Sequence, residues 1–298
     1  MSVRLCFAFL TCAAALLPSC GIAHTSPAPA GAAESGYVAV DGGRLYYEAA
    51  GTGTVVVFIN GANLDAHMWD AQFVALAAHH RVIRYDERGF GKSSPANVAY
   101  AADEDLWTLL RSLHVPRASL VGLSLGGRIA LDFALAHPSG VDRLVLASPG
   151  ISGWTFSRGD TAWVAVARAA AARNDSVGIA LAWLESAWMT PAMEQPRLRP
   201  ILRKLIVTSA GNWMQLVHHG DTERAANPPA LGRTQVIGAP TLIIVGSRDV
   251  PDILRIADTL CATMPNARRV IFDGSGHVVN LEQPARFTRE IEDFLRPS

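Results

Sequence analysis

The chain has 298 residues, about half of them hydrophobic, enough to bury a large core and within the size range in which an α/β fold forms one domain. Its 26 basic residues balance 26 acidic ones and no Lys/Arg block occurs, so neither a nucleic-acid footprint nor a polybasic membrane patch is indicated. A small molecule is the expected partner, and one domain with appendages the expected organisation.

Met1 to Arg4 form a short, weakly basic start, and Leu5 to Leu17 an apolar run shorter than the ~20 residues that cross a bilayer. Residues 1–23 therefore read as a signal peptide, and the folded domain is expected outside the cytoplasm, periplasmic or membrane-anchored in a bacterium. Two processing sites compete. Leu17-Pro18-Ser19-Cys20 resembles a lipoprotein box, which would leave a lipidated Cys20 and attach the chain to a membrane; Gly21-Ile22-Ala23 has the small residues of ordinary secretory cleavage. The mass of the natively processed N-terminus distinguishes them. Residues 24–35, rich in Ala, Pro, Gly and Ser without a hydrophobic period, are expected to be a tether. Cys261 is the one cysteine in the body of the chain, so no internal disulfide framework is expected there.

Past the tether, Tyr37 to Val40 and Leu45 to Glu48 flank Asp41-Gly42-Gly43 and read as a β-hairpin. Thr54 to Ile59 is a continuous β-branched run with no polar face, as a strand covered on both sides requires; it ends at Asn60-Gly61-Ala62-Asn63. A helix from about Met68 to His79, a strand from Val82 to Tyr85 and a glycine-rich turn from Asp86 to Ser94 follow. Asp86 and Arg88 are expected to brace that turn. A helix near Asp103 to Leu113 leads to the apolar strand Ala118 to Leu123, and a helical period resumes through Ile129, Ala130, Phe133 and Ala134.

Between these last two elements lies Gly122-Leu123-Ser124-Leu125-Gly126. A serine on a sharp strand-to-helix turn is a nucleophile elbow. Glycine two positions to either side lets neighbouring backbone pass close, and the helix N-terminus supplies unpaired N–H groups. A strand from Arg143 to Ala147 comes next, after which the alternation stops. From about residue 150 to 236 helical patterns occur without strand signals; then come a strand from Pro240 to Val245, a helix near Asp252 to Thr263, a strand from Arg269 to Phe272 and a last helix from Pro284 to Leu295. The expected fold is therefore α/β, a mostly parallel sheet flanked by helices over residues 36–298, with a helical cap inserted at about 150–236.

A serine hydroxyl needs a base within hydrogen-bond reach and a carboxylate to orient that base. In an open parallel sheet such groups gather where strands end. Asp249 follows the strand through Val245, and His277 follows the strand through Phe272. Asp249 could alternatively cap the next helix, although Asp252 is better placed for that. His79-His80 and His218-His219 lack the H-E-x-x-H spacing of a zinc helix, and no metal site is expected.

The order Ser124, Asp249, His277, together with the Asn60-Gly61 loop, Asp86-x-Arg88-Gly89-x-Gly91-x-Ser93, Gly246-Ser247-x-Asp249 and Gly276-His277 followed by Asn280-Leu281-Glu282-x-Pro284, resembles the α/β-hydrolase fold family across nearly the whole mature chain. The resemblance implies a serine hydrolase that forms an acyl-enzyme without cofactor or metal. It also implies an oxyanion hole built from the backbone N–H groups of Ala62 and Leu125. Many relatives have histidine where this chain has Asn60; that side chain is expected to brace the loop, with a direct contact to substrate also open. Within the family the chain looks most like oxoadipate enol-lactone hydrolases and small arylesterases, which points to an apolar ester or lactone as substrate. Relatives with a serine nucleophile also cleave carbon–carbon bonds or make peracids, and some proteins of this fold only bind ligands. Five of the seven tryptophans, Trp154, Trp163, Trp183, Trp188 and Trp213, lie in the inserted block. Most are expected to pack the cap, with Trp154, Trp183 and Trp188 as candidates to line the substrate pocket.

Overall fold

The computed structural model describes residues 33–157, 162–224 and 226–296. The signal segment, Cys20 and residues 24–32 of the expected tether lie outside the described residues. The tether does not reach residue 35: Glu34 and Ser35 already belong to the first strand, opposite Ala49 and Glu48.

Among the described residues the core is one eight-stranded sheet in the order β1-β2-β4-β3-β5-β6-β7-β8. Strands β1 (Glu34–Val40) and β2 (Gly43–Ala50) form the expected antiparallel hairpin, with Gly42 at φ +69° in its turn, a conformation that suits glycine. The remaining strands are β3 (Val55–Ile59), β4 (Arg81–Tyr85), β5 (Ala118–Leu123), β6 (Val141–Ala147), β7 (Thr241–Gly246) and β8 (Ala267–Phe272). They run parallel to one another, and β2 meets β4 antiparallel. β5 and β7 are buried at every position, as their predominantly apolar sequences, broken only by Ser119 and Thr241, favour, whereas the edge strand β8 exposes Arg268 and Arg269.

Helices α2 (Ala102–Ser112), α3 (Leu125–Ala136) and α9 (Pro251–Thr263) pack on one side through a cluster that includes Leu106, Leu109, Phe133, Ile253 and Leu260. On the other side α1 (Asp70–Leu76), α10 (Val279–Glu282) and α11 (Pro284–Leu295) surround Phe58, Trp69 and Phe287. The helix expected from Met68 to His79 is shorter. A 3-10 turn over Ala66–Trp69, capped by the Asp65 carboxylate accepting from the His67 amide, precedes α1, and α1 ends at Leu76 so that the chain can turn into β4.

Between β6 and β7 lies the cap. It comprises α4 (Ala162–Ala171), α5 (Ser176–Leu184), α6 (Thr190–Met193), α7 (Arg199–Thr208) and α8 (Ala210–His219). Trp183, Leu184, Met189, Leu202, Leu205 and Ile206 join the same hydrophobic cluster as Phe58 and Phe287, so the cap shares the sheet's core.

Candidate active site

Ser124 stands between β5 and α3 at φ 54° and ψ −108°, a backbone conformation that L-residues rarely adopt and that costs about 1–3 kcal/mol. Hydrogen bonds on both sides hold it there. Its amide donates to Ala147 O at 2.9 Å, and its carbonyl accepts from the Gly150 amide at 2.9 Å and the Arg128 amide at 3.1 Å. The glycines of the elbow are dictated by backbone contact. A Cβ on Gly122 would lie 2.2 Å from Gly126 O, and one on Gly126 would lie 2.3 Å from Ile59 O.

Asp249 and His277 are where the strand ends should deliver them. Both are buried, and His277 Nδ1 lies 3.0 Å from Asp249 Oδ1 and 3.1 Å from Oδ2. A carboxylate only accepts, so Nδ1 carries the proton in this pair, and Nε2 is left with the lone pair of a base. The Val250 amide donates to Asp249 Oδ1 at 2.7 Å and fixes the carboxylate. The loop carrying His277 is tied down by Glu282, whose carboxylate accepts from the Gly276 amide at 2.8 Å. Burial raises the Glu282 carboxyl above its ordinary range, and the bonds from the Gly276 and Val278 amides offset that only in part. The indole of Trp188 meets the His277 ring edge-on at 4.7 Å, covering it from the cap side.

Ser124 and His277 open into one cavity of about 340 Å³ whose wall also includes Ala62, Asn63, Leu125, Trp183 and Trp188. Its volume suits a small organic substrate. The amides of Ala62 and Leu125 have no protein acceptor among the described residues, as the expected oxyanion donors require. The Ala62 loop is held by Asn60, which is fully buried and donates from Nδ2 to Leu64 O at 2.7 Å. Asn60 thus braces the loop and does not line the cavity; its Nδ2 is turned to the loop's own backbone, and its buried Oδ1 has no partner among the described residues. The Asp86 carboxylate accepts from the amides of Ala66 and Lys92, both at 2.8 Å, joining the turn after β4 to the segment after the Ala62 loop. Arg88 donates from Nε and Nη2 to Asp105, each at 2.9 Å. Both residues brace, as expected.

Of the candidate tryptophans, Trp183 and Trp188 line the cavity and Trp154 does not. Trp154 Nε1 donates to Asp252 Oδ1 at 3.2 Å and its ring packs beside the α3–α9 cluster, because the segment between Ile151 and Ser157 runs toward α9 before the cap begins. Asp252, the expected helix cap, instead accepts from Ser157, Trp154 and Arg255, bonds that hold its carboxyl well below the usual range. The cavity wall also contains side chains that the sequence reading passed over: Asn63, Arg128, Phe156 and Met189. Arg128 could have been found, since it follows Ser124 by four residues and so shares its helix face. The others come from loops and the cap, where no spacing rule relates them to Ser124.

The sequence signature of the alpha/beta hydrolase fold spans residues 54–284, and the chain belongs to that family. It is 30% identical over 273 residues to a 2-hydroxy-6-oxononadienedioate/2-hydroxy-6-oxononatrienedioate hydrolase of Paraburkholderia xenovorans, covering 85% of this chain and 90% of that protein. The crystal structure of the enol-lactonase from Burkholderia xenovorans LB400 superposes with a TM-score of 0.72 at 28% identity, covering 87% of this chain and 99% of the other. A thermophilic esterase from Thermogutta terrifontis superposes with a TM-score of 0.71 at 26% identity, covering 88% and 98%.

Proposed function

We propose that this protein is a serine hydrolase that cleaves carboxylic esters or lactones through a covalent acyl-enzyme. One observation carries the reading: a strained serine, a histidine held by a buried carboxylate and two unpaired amides all border a single apolar cavity. In this reading His277 Nε2 accepts the proton of Ser124 Oγ as the oxygen attacks the substrate carbonyl, and Asp249 stabilises the imidazolium that results. The negative charge on the carbonyl oxygen is received by the Ala62 and Leu125 amides, the loss of either of which would cost ~3–4 kcal/mol in the transition state. His277 then protonates the leaving alkoxide. Water, deprotonated by the same base, attacks the acyl-enzyme and releases the acid. Similarity to both an enol-lactonase and an esterase supports oxygen leaving groups.

The test is hydrolysis of p-nitrophenyl butyrate by the parent protein and by Ser124→Ala, with fluorophosphonate labelling of both. Turnover and labelling in the parent, with a loss of ~10³-fold or more in the variant, are expected. A parent that neither turns over nor labels would reject the reading. Labelling without ester turnover would redirect it to carbon–carbon bond cleavage, for which the similarity to the nonadienedioate hydrolase is the motive.

A further inference from the structure

Arg128 is the one Lys or Arg side chain on the cavity wall among the described residues, and it stands one helical turn beyond Ser124. A free guanidinium there would be an anchor for a carboxylate on the substrate, which its planar fork binds in bidentate fashion. It is not free. Arg128 Nη2 donates to both carboxylate oxygens of Glu223, at 2.7 and 2.6 Å, and Nη1 donates to Asp132 Oδ2 at 3.3 Å. The three side chains are 18%, 15% and 3% exposed respectively, so the cluster lies largely out of water, where charges must be matched.

Glu223 is itself held in place. The Tyr100 amide donates to Thr222 O at 3.3 Å, the Arg224 amide donates to Tyr100 O at 2.7 Å, and the Glu223 amide donates to Asp221 Oδ1 at 3.0 Å. A substrate carboxylate reaching Arg128 would be the third one on a single guanidinium. The other polar side chains on the wall are Asn63, Ser124 and His277. Asn63 is buried with its Oδ1 lacking a partner, which suits a neutral hydrogen-bonding group on the substrate.

We infer that Glu223 masks Arg128, so that the pocket accepts uncharged acyl groups and rejects those carrying a carboxylate. The inference rests on the ester-hydrolase reading and narrows its substrate class. Glu223 acts through Arg128, as a positioning residue that sets specificity.

Two esters of equal size test it, p-nitrophenyl hydrogen adipate and its terminal carboxamide, compared at low salt as a ratio of kcat/KM values, which cancels any loss common to both. The parent is expected to favour the amide by about tenfold or more, the order set by one uncompensated charge near a protein surface. Glu223→Gln is expected to bring the ratio to one or reverse it. A parent ratio near one or favouring the acid would overturn the inference, and so would an unchanged ratio in the variant. Quenching of the pocket tryptophans in the parent by adipamate and by adipate, which share one carboxylate for the Ala62 and Leu125 amides and differ only at the far end, provides a measurement that needs neither turnover nor a folded variant. Adipamate is expected to bind more tightly, and equal or tighter binding of adipate would overturn the proposal. Absent turnover and absent fluorophosphonate labelling would reject the hydrolase reading, whereas turnover of both esters without discrimination would reject only the masking of Arg128.

Discussion

At the residue scale, ionisable groups next to the site are kept out of water without full compensation. Glu87 lies in the turn after β4, buried, with Oε1 unpartnered; burial first, and then the negative charge of Glu223, push its carboxyl well above the ordinary value of 4.5. The folded protein therefore binds this proton more tightly than the unfolded chain does. The consequence for stability has a definite sign: between the unfolded and the folded pKa the native state holds more protons, so stability falls as pH rises through that interval. Glu87→Gln removes the titration while keeping the shape. It is expected to raise Tm above that of the parent at pH 8, with the difference shrinking below about pH 4.5, at roughly 2–4 °C per kcal/mol for a protein of this size. Scanning calorimetry at both pH values checks this, and a variant less stable than the parent at pH 8 would show Glu87 to be ionised and needed. Glu48 has the opposite sign. Burial alone would raise it, but hydrogen bonds from Tyr46 and Arg84 together with the Arg84 charge outweigh that and leave its carboxyl lowered, so its contribution is lost as the solution is acidified.

At the scale of elements, the elbow depends on how closely β5, α3 and β3 approach one another. Neither Gly122 nor Gly126 has a positive φ, so what excludes a methyl group there is the backbone of the neighbouring element and not torsional preference. Gly122→Ala and Gly126→Ala are each expected to destabilise the protein by about 1–3 kcal/mol or more, since backbone cannot rotate away as a side chain can, and to abolish fluorophosphonate labelling of Ser124. Gly211, in the first turn of cap helix α8, has nothing within 4 Å of where a Cβ would stand. Gly211→Ala is expected to stabilise by ~0.5–1 kcal/mol through helix propensity. Urea titrations of the three variants make the comparison, and a neutral Gly122→Ala would refute the steric account of the elbow.

For the whole molecule, two large hydrophobic clusters cover the two faces of the sheet, and most of the cap belongs to one of them. The exception is α4, whose buried side chains Ala167 and Ala170 form a small separate cluster with Ile179 and Ala182 on the facing side of α5. Only two residues of α4 are buried. With so little apolar surface to hold it, α4 is expected to open locally, and its amides to exchange with solvent at a free energy well below that of β5, which is buried throughout. Native-state hydrogen exchange read by mass spectrometry tests this; equal protection of α4 and β5 would mean that the cap opens only with global unfolding. Local opening there would leave the Asp249–His277 pair in place, because both residues are carried by the strand ends and not by the cap.

Much of this architecture was legible in the sequence because it is imposed by local rules. Short, β-branched apolar runs bounded by turn residues mark strands covered on both sides. The glycines flanking Ser124 mark a backbone crossing, and a histidine and an aspartate directly after the last two strands must arrive at the same end of a parallel sheet. Tertiary structure alone decided what depends on contact between distant segments. Asn60 turned inward because Leu64 O lay within reach of its amide, and Trp154 left the pocket because the chain after Ile151 runs toward Asp252. Arg128 found its partner in Glu223, 95 residues further along the chain. Such pairings are set by where folded segments pass one another, a matter of three-dimensional packing that no local period or spacing encodes.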